Sequence, residues 1–547
     1  MNTIHLRRAL LAAFSAALTA LTVAGAGAAA AETDVAAVAA RSGGTPIVNI
    51  DGGAVRGVAV PGGYAFRGLP YAAAPTGQLR WRAPRPATDW NGVRDATQFA
   101  PSCPQQTDPF QNLFLPPGPI VEDCLYLNVS TPALHSRRGD GRPVLVWVHG
   151  GGLTQDAARN YDGSKLAAAG TVVVTINYRL GALGFLAHPA LASRPGGPAG
   201  NYGLMDQQAA LRWVRRNIAE FGGDPRNVTI AGQSAGGLSV LAHLVSRGSR
   251  GLFQRAIVQS GAFALKQQSR ADAEAFGQTF ATSAGCADQS AECLRALPVS
   301  ALVDHFPGAA IPGVVDGKVL RESIGTALAG GRFARVPILN GINHDEEFLF
   351  VAGLGVAVSG GTFVLVPERP VTAANYQSNI AAVLSVPPAR AAAIAAEYPL
   401  GAYPAPVVAL STLVADANFA CPALQVDRWT SRRVPTFAYQ FNDDTAPHRL
   451  APPGALPPIA THSSELQYLF DLPNLPFPGT LNTDQEALAV SMRTAWANFA
   501  ANGDPSSAAI PWPSFNDSAQ VLSLESPQPQ VDTSFATTHH CSFWAVG

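Results

Sequence analysis

The sequence predicts an α/β protein with a mostly parallel central sheet and helices on both faces. Short apolar runs rich in β-branched residues alternate with segments of helical periodicity, which is typical of parallel strands buried on both faces. Between the second and third run, apolar residues at helical spacing predict a helix that ends near Gly222. The runs interpreted as strands are residues 144–148, 171–178, 228–231, 256–258, 336–339 and 437–441.

Composition supports a large folded core. The chain has 547 residues, of which 47% are hydrophobic and only 14% are charged, so it is neither disordered nor fibrous. A formal charge of -1 without long basic runs argues against a nucleic-acid partner. Proline-rich stretches interrupt the strand-and-helix pattern without ending it. We therefore expect residues 32–547 to form a single domain with long insertions.

The first 31 residues have the pattern of a secretory signal peptide. Arg7 and Arg8 precede an apolar run, residues 9–23, and a tract of small residues, 24–31, follows it. The apolar run is short for a membrane span, which needs about 20 residues, and no stop-transfer charges follow. We expect a secreted protein without stable membrane insertion.

The number and spacing of the cysteines are also typical of an exported protein. They are even in number, and none has the CxxC spacing of a zinc or redox site, so we predict disulfides and no metal site. Spacing alone leaves their pairing open. The six are Cys103, Cys124, Cys286, Cys293, Cys421 and Cys541.

Residues 232–236, Gly-Gln-Ser-Ala-Gly, match the GxSxG pattern of a nucleophilic serine. The match is weak by itself in a chain with 52 glycines. It gains weight because a predicted strand precedes it and a helical run follows, an arrangement that lifts a serine hydroxyl clear of a sheet. The helix N-terminus also favours developing negative charge. We predict that Ser234 is a nucleophile.

A second glycine tract predicts an oxyanion hole. Residues 149–152, His-Gly-Gly-Gly, directly follow the predicted strand 144–148. Glycines there allow backbone amides to turn inward toward a substrate. We assign the N–H groups of Gly151, Gly152 and Ala235 as oxyanion donors. His149 precedes the serine in the chain and is interpreted as a structural residue.

The base and the acid follow from chain order, which runs serine, acid, histidine in proteins with this serine motif. The acid should follow a core strand, and two candidates, Asp345 and Glu346, follow the run 336–339. Spacing cannot choose between them. His462 is the best-placed base, because it lies in a loop after the strand 437–441. The other histidines late in the chain are His448, His539 and His540.

Together these motifs resemble the type-B carboxylesterases, an α/β-hydrolase family that includes the cholinesterases and some lipases. The resemblance covers nearly all of the mature chain and implies the α/β-hydrolase fold. It selects Glu346 as the acid and His462 as the base, and it adds Glu465 as a further carboxylate behind them. It also implies the disulfide pairs Cys103–Cys124, Cys286–Cys293 and Cys421–Cys541. The motifs that carry it are residues 122–129, 149–152, 161–164, 177–179, 221–225 and 234–237.

The resemblance implies a serine carboxylic-ester hydrolase that acts through an acyl-enzyme on a small-molecule ester, without a metal or organic cofactor. Gln233 stands where related cholinesterases have glutamate, and the loop between Cys103 and Cys124 has Phe110 and Phe114 but no tryptophan. Choline capture therefore loses its main contributors. We expect neutral short- to medium-chain esters as substrates. The alternatives are a lipase for longer acylglycerols and a non-catalytic, cholinesterase-like adhesion module.

Overall fold

The computed structural model describes the chain from Thr45 to Ala545 with several gaps. The described residues are 45–107, 112, 114–134, 141–192, 197, 199–306, 313–351, 354–359, 362–367, 370–451, 456–508 and 510–545. The chain from Thr45 onward forms one compact unit. The predicted signal peptide and Phe110 lie outside the described residues.

Strands of the described chain form one large mixed sheet and three small ones. In chain order they are β1 (Ile47–Ile50), β2 (Gly53–Arg56), β3 (Val58–Val60), β4 (Gly63–Pro70), β5 (Val93–Asp95), β6 (Tyr126–Thr131), β7 (Arg142–Val148), β8 (Val172–Ile176), β9 (Gly223–Gln233), β10 (Arg255–Gln259), β11 (Gln268–Ser269), β12 (Val314–Val315), β13 (Ile338–Asn343), β14 (Leu354–Ser359), β15 (Thr362–Pro367), β16 (Thr436–Phe441), β17 (Val521–Leu524) and β18 (Gln530–Asp532).

The large sheet has 11 strands in the order β18-β17-β16-β13-β10-β9-β7-β8-β6-β4-β3. From β17 to β8 every neighbouring pair is parallel, and antiparallel strands flank this block at both edges. The structure thus confirms the predicted mostly parallel sheet.

Each predicted strand is present, with shifted ends. The runs 228–231 and 336–339 correspond to the longer β9 and to β13, which begins two residues later. Both strands continue through polar or glycine residues that apolar patterning does not include, because ladder hydrogen bonds rather than side-chain hydrophobicity set strand ends. No apolar run in the sequence predicts the short antiparallel edge strands β3 and β18.

Strand β7 explains why the central strands read as continuous apolar runs. Val144, Val146 and Val148 pack into the core on one face of the sheet. Leu145 and Trp147 pack into a second core on the other face. A strand that is covered on both faces therefore lacks the alternating apolar and polar residues of a strand with one face in solvent.

Helices cover both faces. Apolar residues of Tyr202–Asn217 and Ala235–Val245 join the first core, and those of Thr483–Asn502 join the second. The remaining α-helices are Ser164–Ala168, Gly181–Phe185, Arg270–Ser283, Ala291–Ala296, Val299–Asp304, Ile324–Ala329, Phe348–Val351, Tyr376–Val383, Pro388–Glu397, Pro406–Ala415, Cys421–Thr430, Leu466–Leu469, Phe515–Ser518, Phe535–Thr538 and Cys541–Trp544. The stretch Asp416–Ala420 between two of them is a π-helix.

Within the described chain, one continuous helical stretch, Pro406–Thr430, is long and apolar enough to cross a membrane, and its most apolar window is 61% buried inside the fold. A second candidate arises only if the bent pair Tyr376–Val383 and Pro388–Ala402 counts as one span. Burial of this kind is also found in core helices of globular proteins.

Three disulfide bonds join Cys103 to Cys124, Cys286 to Cys293 and Cys421 to Cys541, the pairs that the resemblance implies. The last bond closes a loop of 120 residues and ties the C-terminal helix to the chain beyond the π-helix. Cross-links of this length restrict the unfolded chain most strongly.

A buried ion pair joins the end of β8 to the helix Tyr202–Asn217. Arg179 donates from Nε and Nη2 to the two carboxylate oxygens of Asp206, each over 2.7 Å. Both side chains are almost fully buried. Because two charges lie in a region that excludes water, each depends on the other for its solvation.

We predict that Asp206→Asn lowers the free energy of unfolding by about 3–5 kcal/mol, since it leaves the Arg179 guanidinium buried and unpaired. Denaturant unfolding followed by tryptophan fluorescence measures the change. The matched control is Glu322→Gln, which breaks the more exposed pair with Arg332 and should barely move the transition. Equal effects of the two substitutions would contradict the prediction.

Candidate active site

Four loops meet at the carboxyl edge of the parallel strands. Ser234 follows β9, the glycine tract at 149–152 follows β7, Glu346 follows β13, and His462 lies in the loop region after β16. Because these strands are parallel, their carboxyl ends share one edge of the sheet, which is where α/β folds place their sites. The topology therefore brings together residues that are about 300 positions apart in the sequence.

Ser234 lies at a sharp, strained turn between β9 and the helix Ala235–Val245. Its backbone has φ 57° and ψ -126°, outside the usual regions for a side-chain-bearing residue. The Ser234 amide donates to the Gln259 carbonyl over 2.8 Å, which holds the turn against strand β10. A Cβ on Gly236 would lie 2.0 Å from the Val148 carbonyl oxygen, so only glycine fits there. Ser234 remains partly exposed at this turn, whereas Gln233 and Ala235 are buried.

The glycine tract forms a second tight turn beside the serine. Gly151 and Gly152 have φ values of 80° and 65°, which glycine adopts without strain. A Cβ on Gly151 would lie 2.3 Å from the Gln155 carbonyl oxygen. Both glycines line the same cavity as Ser234, and Ala235 begins the helix behind it. The three residues predicted as oxyanion donors thus lie at one site.

His462 contacts Glu346 through a short hydrogen bond between Nδ1 and Oε2. With its proton on Nδ1, the ring presents Nε2 as an acceptor. In this structure Nε2 lies 3.1 Å from the side-chain amide nitrogen of Gln233, which can donate to it. The other Glu346 oxygen accepts from the Asn343 amide over 2.8 Å. The geometry gives His462 the tautomer that a general base needs.

The charged surroundings of His462 act on its pKa in opposite directions. Burial lowers the pKa, but the carboxylates of Glu346, Glu465 and Glu347 raise it, and the net pKa lies above the ordinary value of 6.5. A raised pKa makes the imidazole a stronger base. It also means that activity is lost at a higher pH on acidification, because the imidazole becomes protonated and can no longer accept a proton. The ring also packs edge-on against Phe350 and Phe419, which limits its rotation.

The structure separates the two acid candidates. Glu346 is fully buried and contacts His462. Asp345 instead joins the two loops: its amide donates to the Ala460 carbonyl, and its carboxylate accepts from the Ala460 amide over 3.2 Å. The two neighbours therefore have different partners, one at the imidazole and one at the loop that carries it.

Glu465 lies behind this pair. It is 1% exposed, and its two oxygens accept from Asn343 and Gln259 over 2.8 and 3.0 Å. Burial raises its pKa, while the bonds from Asn343 and Gln259 lower it. Asn343 bonds to both Glu346 and Glu465, so it links the two carboxylates.

The other histidines have separate partners. His149 stacks on Tyr178, and burial lowers its pKa to about 3, which keeps it neutral as a structural residue. His539 and His540 contact Asp416 and Glu397. His344 contacts the Asp345 carboxylate, and His448 contacts the Pro457 carbonyl.

A cavity of about 390 Å³ opens over Ser234 and His462. Five Phe and Tyr rings line it together with several polar side chains, a combination that can hold and orient a small molecule. Besides the serine, the histidine and the two glycines, its lining includes Phe114, Thr154, Gln155, Tyr161, Gln233, Phe263, Glu347, Phe350, Asn418, Phe419 and Ser463.

Several of these lining residues were not predicted as site residues from the sequence. Asn418 and Phe419 lie in the π-helix, a rare element that is frequent at functional sites and that neither periodicity nor a motif predicts here. Gln233 was noted only as a difference from cholinesterases. Glu347 directly follows Asp345 and Glu346. A run of three acidic residues does not indicate that Glu346 contacts His462 while Glu347 lines the cavity.

Asp156 is a buried carboxylate that lies beside the glycine tract. Its carboxylate accepts from Tyr161, from Asn160 and from the Ala157 amide over 2.6 to 2.8 Å. Its Cβ would be 3.0 Å from a Cβ on Gly151. Although it is not a glycine, Asp156 has φ 85°. Burial raises its pKa to about 7, partly offset by these hydrogen bonds.

Within the described ranges, no group of three or more His, Cys, Asp or Glu residues is arranged to hold a metal ion.

The strand–turn–helix serine, the neighbouring glycine turn and the buried histidine–carboxylate pair on a mostly parallel sheet define an α/β-hydrolase. A model of the carboxylesterase family matches residues 44–544. The chain therefore belongs to the carboxylesterase family, and it is a carboxylic ester hydrolase.

Relatives span most of the chain. A cocaine esterase of Oryctolagus cuniculus is 37% identical over 526 residues, which are 91% of this chain and 95% of the relative. A para-nitrobenzyl esterase of Bacillus subtilis is 34% identical over 511 residues, 88% of this chain and 95% of the relative. The solved structure of a thermophylic PNB esterase superposes with a TM-score of 0.75 at 30% identity, covering 91% of this chain and 100% of that one.

We predict that Asp156→Asn makes stability less sensitive to pH. The folded protein keeps a proton on Asp156 up to a pKa of about 7, whereas the ordinary value is 3.8. The contribution of Asp156 to wild-type stability therefore falls as pH rises through this window, by on the order of 1.4 kcal/mol per pH unit, and an asparagine has no such loss. Denaturant unfolding at several pH values measures the difference.

The variant should thus gain stability relative to the wild type as pH rises. Asp89→Asn, at an exposed position, is the matched control and should leave the pH dependence unchanged. A constant difference between Asp156→Asn and the wild type across the window would contradict the prediction.

Proposed function

We propose that the chain hydrolyses esters through an acyl-enzyme formed on Ser234. His462 takes the hydroxyl proton through Nε2 while the serine oxygen attacks the carbonyl carbon. The same nitrogen returns the proton to the leaving alcohol oxygen, and water repeats the cycle to release the acid. Glu346 holds the ring through Nδ1 and stabilises the imidazolium.

The main support is the position of His462. One ring nitrogen bonds to a buried carboxylate, and the ring lines the cavity that Ser234 also lines. The Gln233 side-chain amide bonds to Nε2, so the serine hydroxyl would compete with that amide for the same lone pair. A catalytic hydrogen bond that tightens only with substrate bound is common in such sites.

The oxyanion of the tetrahedral intermediate would be held by the amides of Gly151, Gly152 and Ala235. Support comes from the positive φ of both glycines and from the start of a helix of 11 residues at Ala235. Backbone donors fixed before the reaction stabilise developing charge without reorganisation. A hydrogen bond of 3.0 Å from the Gln155 amide to the Gly151 carbonyl helps to fix the turn that carries these donors.

Short- to medium-chain acyl groups suit the cavity. Its volume of about 390 Å³ lies at the smaller end of small-molecule sites, and five Phe and Tyr rings form the apolar part of its wall. Neutral esters fit the apolar part of this wall. The relatives include a cocaine esterase and an acylcarnitine hydrolase.

We also propose that the enzyme is secreted. The signal-like pattern of the first 31 residues supports export, and so do three disulfides that use all six cysteines. Bonds of this kind persist in oxidising compartments.

Ser234→Ala should lower kcat for a short p-nitrophenyl ester by about 1,000-fold or more, because no other group can form the acyl-enzyme. Steady-state release of p-nitrophenol measures this. Ser283→Ala, on an exposed helix face, is the matched control and should retain wild-type turnover. Circular dichroism checks that both variants fold. A folded Ser234→Ala variant with near wild-type kcat would refute the mechanism.

A further inference from the structure

Five arginines line a cavity of about 620 Å³ that shares no residue with the active-site cavity. One carboxylate, that of Glu322, lies among them in the described lining, so five guanidiniums share one negative group. Arginine stays protonated throughout the pH range of folded proteins, which leaves an excess of four positive charges. The residues that define this arginine pocket are Arg247, Arg250, Arg321, Arg332 and Arg335.

The arginine pocket lies at the edge of the sheet opposite Ser234. The helix Ala235–Val245 begins behind Ser234 and ends at the pocket, and its 11 residues span about 16 Å. The pocket residues 331–335 precede strand β13, whose far end leads to Glu346. A ligand in the arginine pocket would therefore not contact an ester at Ser234, and the pocket is separate from the proposed reaction.

Hydrogen bonds between distant segments fix the backbone that carries the arginines. Ser246 Oγ donates to the Val319 carbonyl over 2.8 Å, which ties the end of the helix to the chain just before the second segment. The Ala334 amide donates to the Leu244 carbonyl over 2.8 Å, which ties the third segment to the same helix. The guanidiniums thus extend from a fixed frame, which lowers the entropic cost of binding. The three segments are 245–250, 321–322 and 331–335.

Most of these guanidiniums have no counter-charge in the described chain. Arg332 donates from Nε to Glu322 over 2.7 Å, and no ion pair found there includes any of the other four. Arg335 stacks on the Phe333 ring and donates from Nη2 to the Gly331 carbonyl over 2.7 Å, which orients it without neutralising it. Like charges held together repel one another, and an anion bound among them removes that repulsion.

A glycine pair allows the guanidiniums to come close together. A Cβ on Gly330 would lie 2.1 Å from Arg332 Nη1, so a larger residue would displace that side chain. A Cβ on Gly331, which has φ 66°, would lie 3.6 Å from Arg335 Nη2 and 3.5 Å from Nε of a further arginine, Arg433. Three guanidiniums therefore surround one turn, and positive charge is concentrated at this side of the pocket.

We propose that the arginine pocket binds a compact anion that carries two or more linked phosphate groups. Guanidiniums hold phosphate oxygens through paired, charge-assisted hydrogen bonds. Four guanidiniums without a counter-charge outnumber the separate oxygen pairs that a single phosphate offers. A short oligophosphate supplies enough oxygens, and a cavity of about 620 Å³ has room for it.

The surroundings of the pocket favour a soluble ligand over a lipid headgroup or an acidic peptide. A face that binds a bilayer presents apolar side chains beside its basic residues. None of the large apolar side chains that are exposed in the described chain lies in the pocket lining. The carboxylates of an acidic peptide are spread along an extended backbone, whereas these arginines surround one concave space.

Isothermal titration calorimetry of the full chain with sodium tripolyphosphate, at physiological ionic strength, tests the proposal. We expect one tripolyphosphate per chain, bound more tightly than inorganic phosphate. The double variant Arg247→Gln/Arg321→Gln should raise the Kd for tripolyphosphate at least about tenfold, because it removes two charge-assisted contacts. The matched control, Arg56→Gln/Arg85→Gln, removes the same charge at exposed positions outside the pocket lining and should keep the wild-type Kd.

The proposal is overturned if tripolyphosphate does not bind, if inorganic phosphate binds as tightly, or if the two double variants weaken binding equally. Co-sedimentation with phosphatidylglycerol vesicles and titration with polyglutamate distinguish the sources of negative charge. Binding of vesicles or polyglutamate without binding of tripolyphosphate also contradicts the proposal. Binding of both vesicles and tripolyphosphate, each lost in Arg247→Gln/Arg321→Gln, supports the phosphate site and assigns it to a lipid headgroup. Circular dichroism checks that both double variants fold.

Discussion

The site depends on the close approach of the serine turn to the end of strand β7. The Val148 carbonyl oxygen occupies the space that a Cβ on Gly236 would need. Only that approach lets the helix Ala235–Val245 start directly behind Ser234, with the glycine tract of the neighbouring strand alongside. The strained backbone of Ser234 persists because strands on both sides of β9 are themselves buried on two faces.

Three carboxylates surround one imidazole, and each has a different environment. Glu346 contacts His462, Glu465 is enclosed by amide donors, and Glu347 borders the cavity. Together they outweigh the effect of burial and raise the pKa of His462.

The central strands and the serine turn could be predicted from sequence because burial on both faces leaves continuous apolar runs. Edge strands such as β3 are short and gave no comparable pattern. Spacing could not choose between Asp345 and Glu346, since side chains one residue apart beyond a strand end can point to different partners. The family resemblance chose Glu346, and the structure places that side chain at His462.

Other contributors depend on contacts between distant segments. Hydrogen bonds from Tyr161 and Asn160 hold Asp156 beside Gly151, in a backbone conformation that glycine usually adopts. Nothing in the local sequence predicts a buried carboxylate there. Glu347 likewise acquires its position from the π-helix that carries Asn418. These positions follow from tertiary packing, which periodicity and motif spacing do not encode.

The most direct test of the account is to map the site of covalent labelling by a fluorophosphonate. Such a reagent reacts with a serine only when a neighbouring base and oxyanion donors activate it. Peptide mass spectrometry of the labelled protein should locate one adduct, on Ser234, and Glu346→Gln should slow its formation strongly. Labelling at a different serine, or an unlabelled Ser234 in folded protein, would contradict the account.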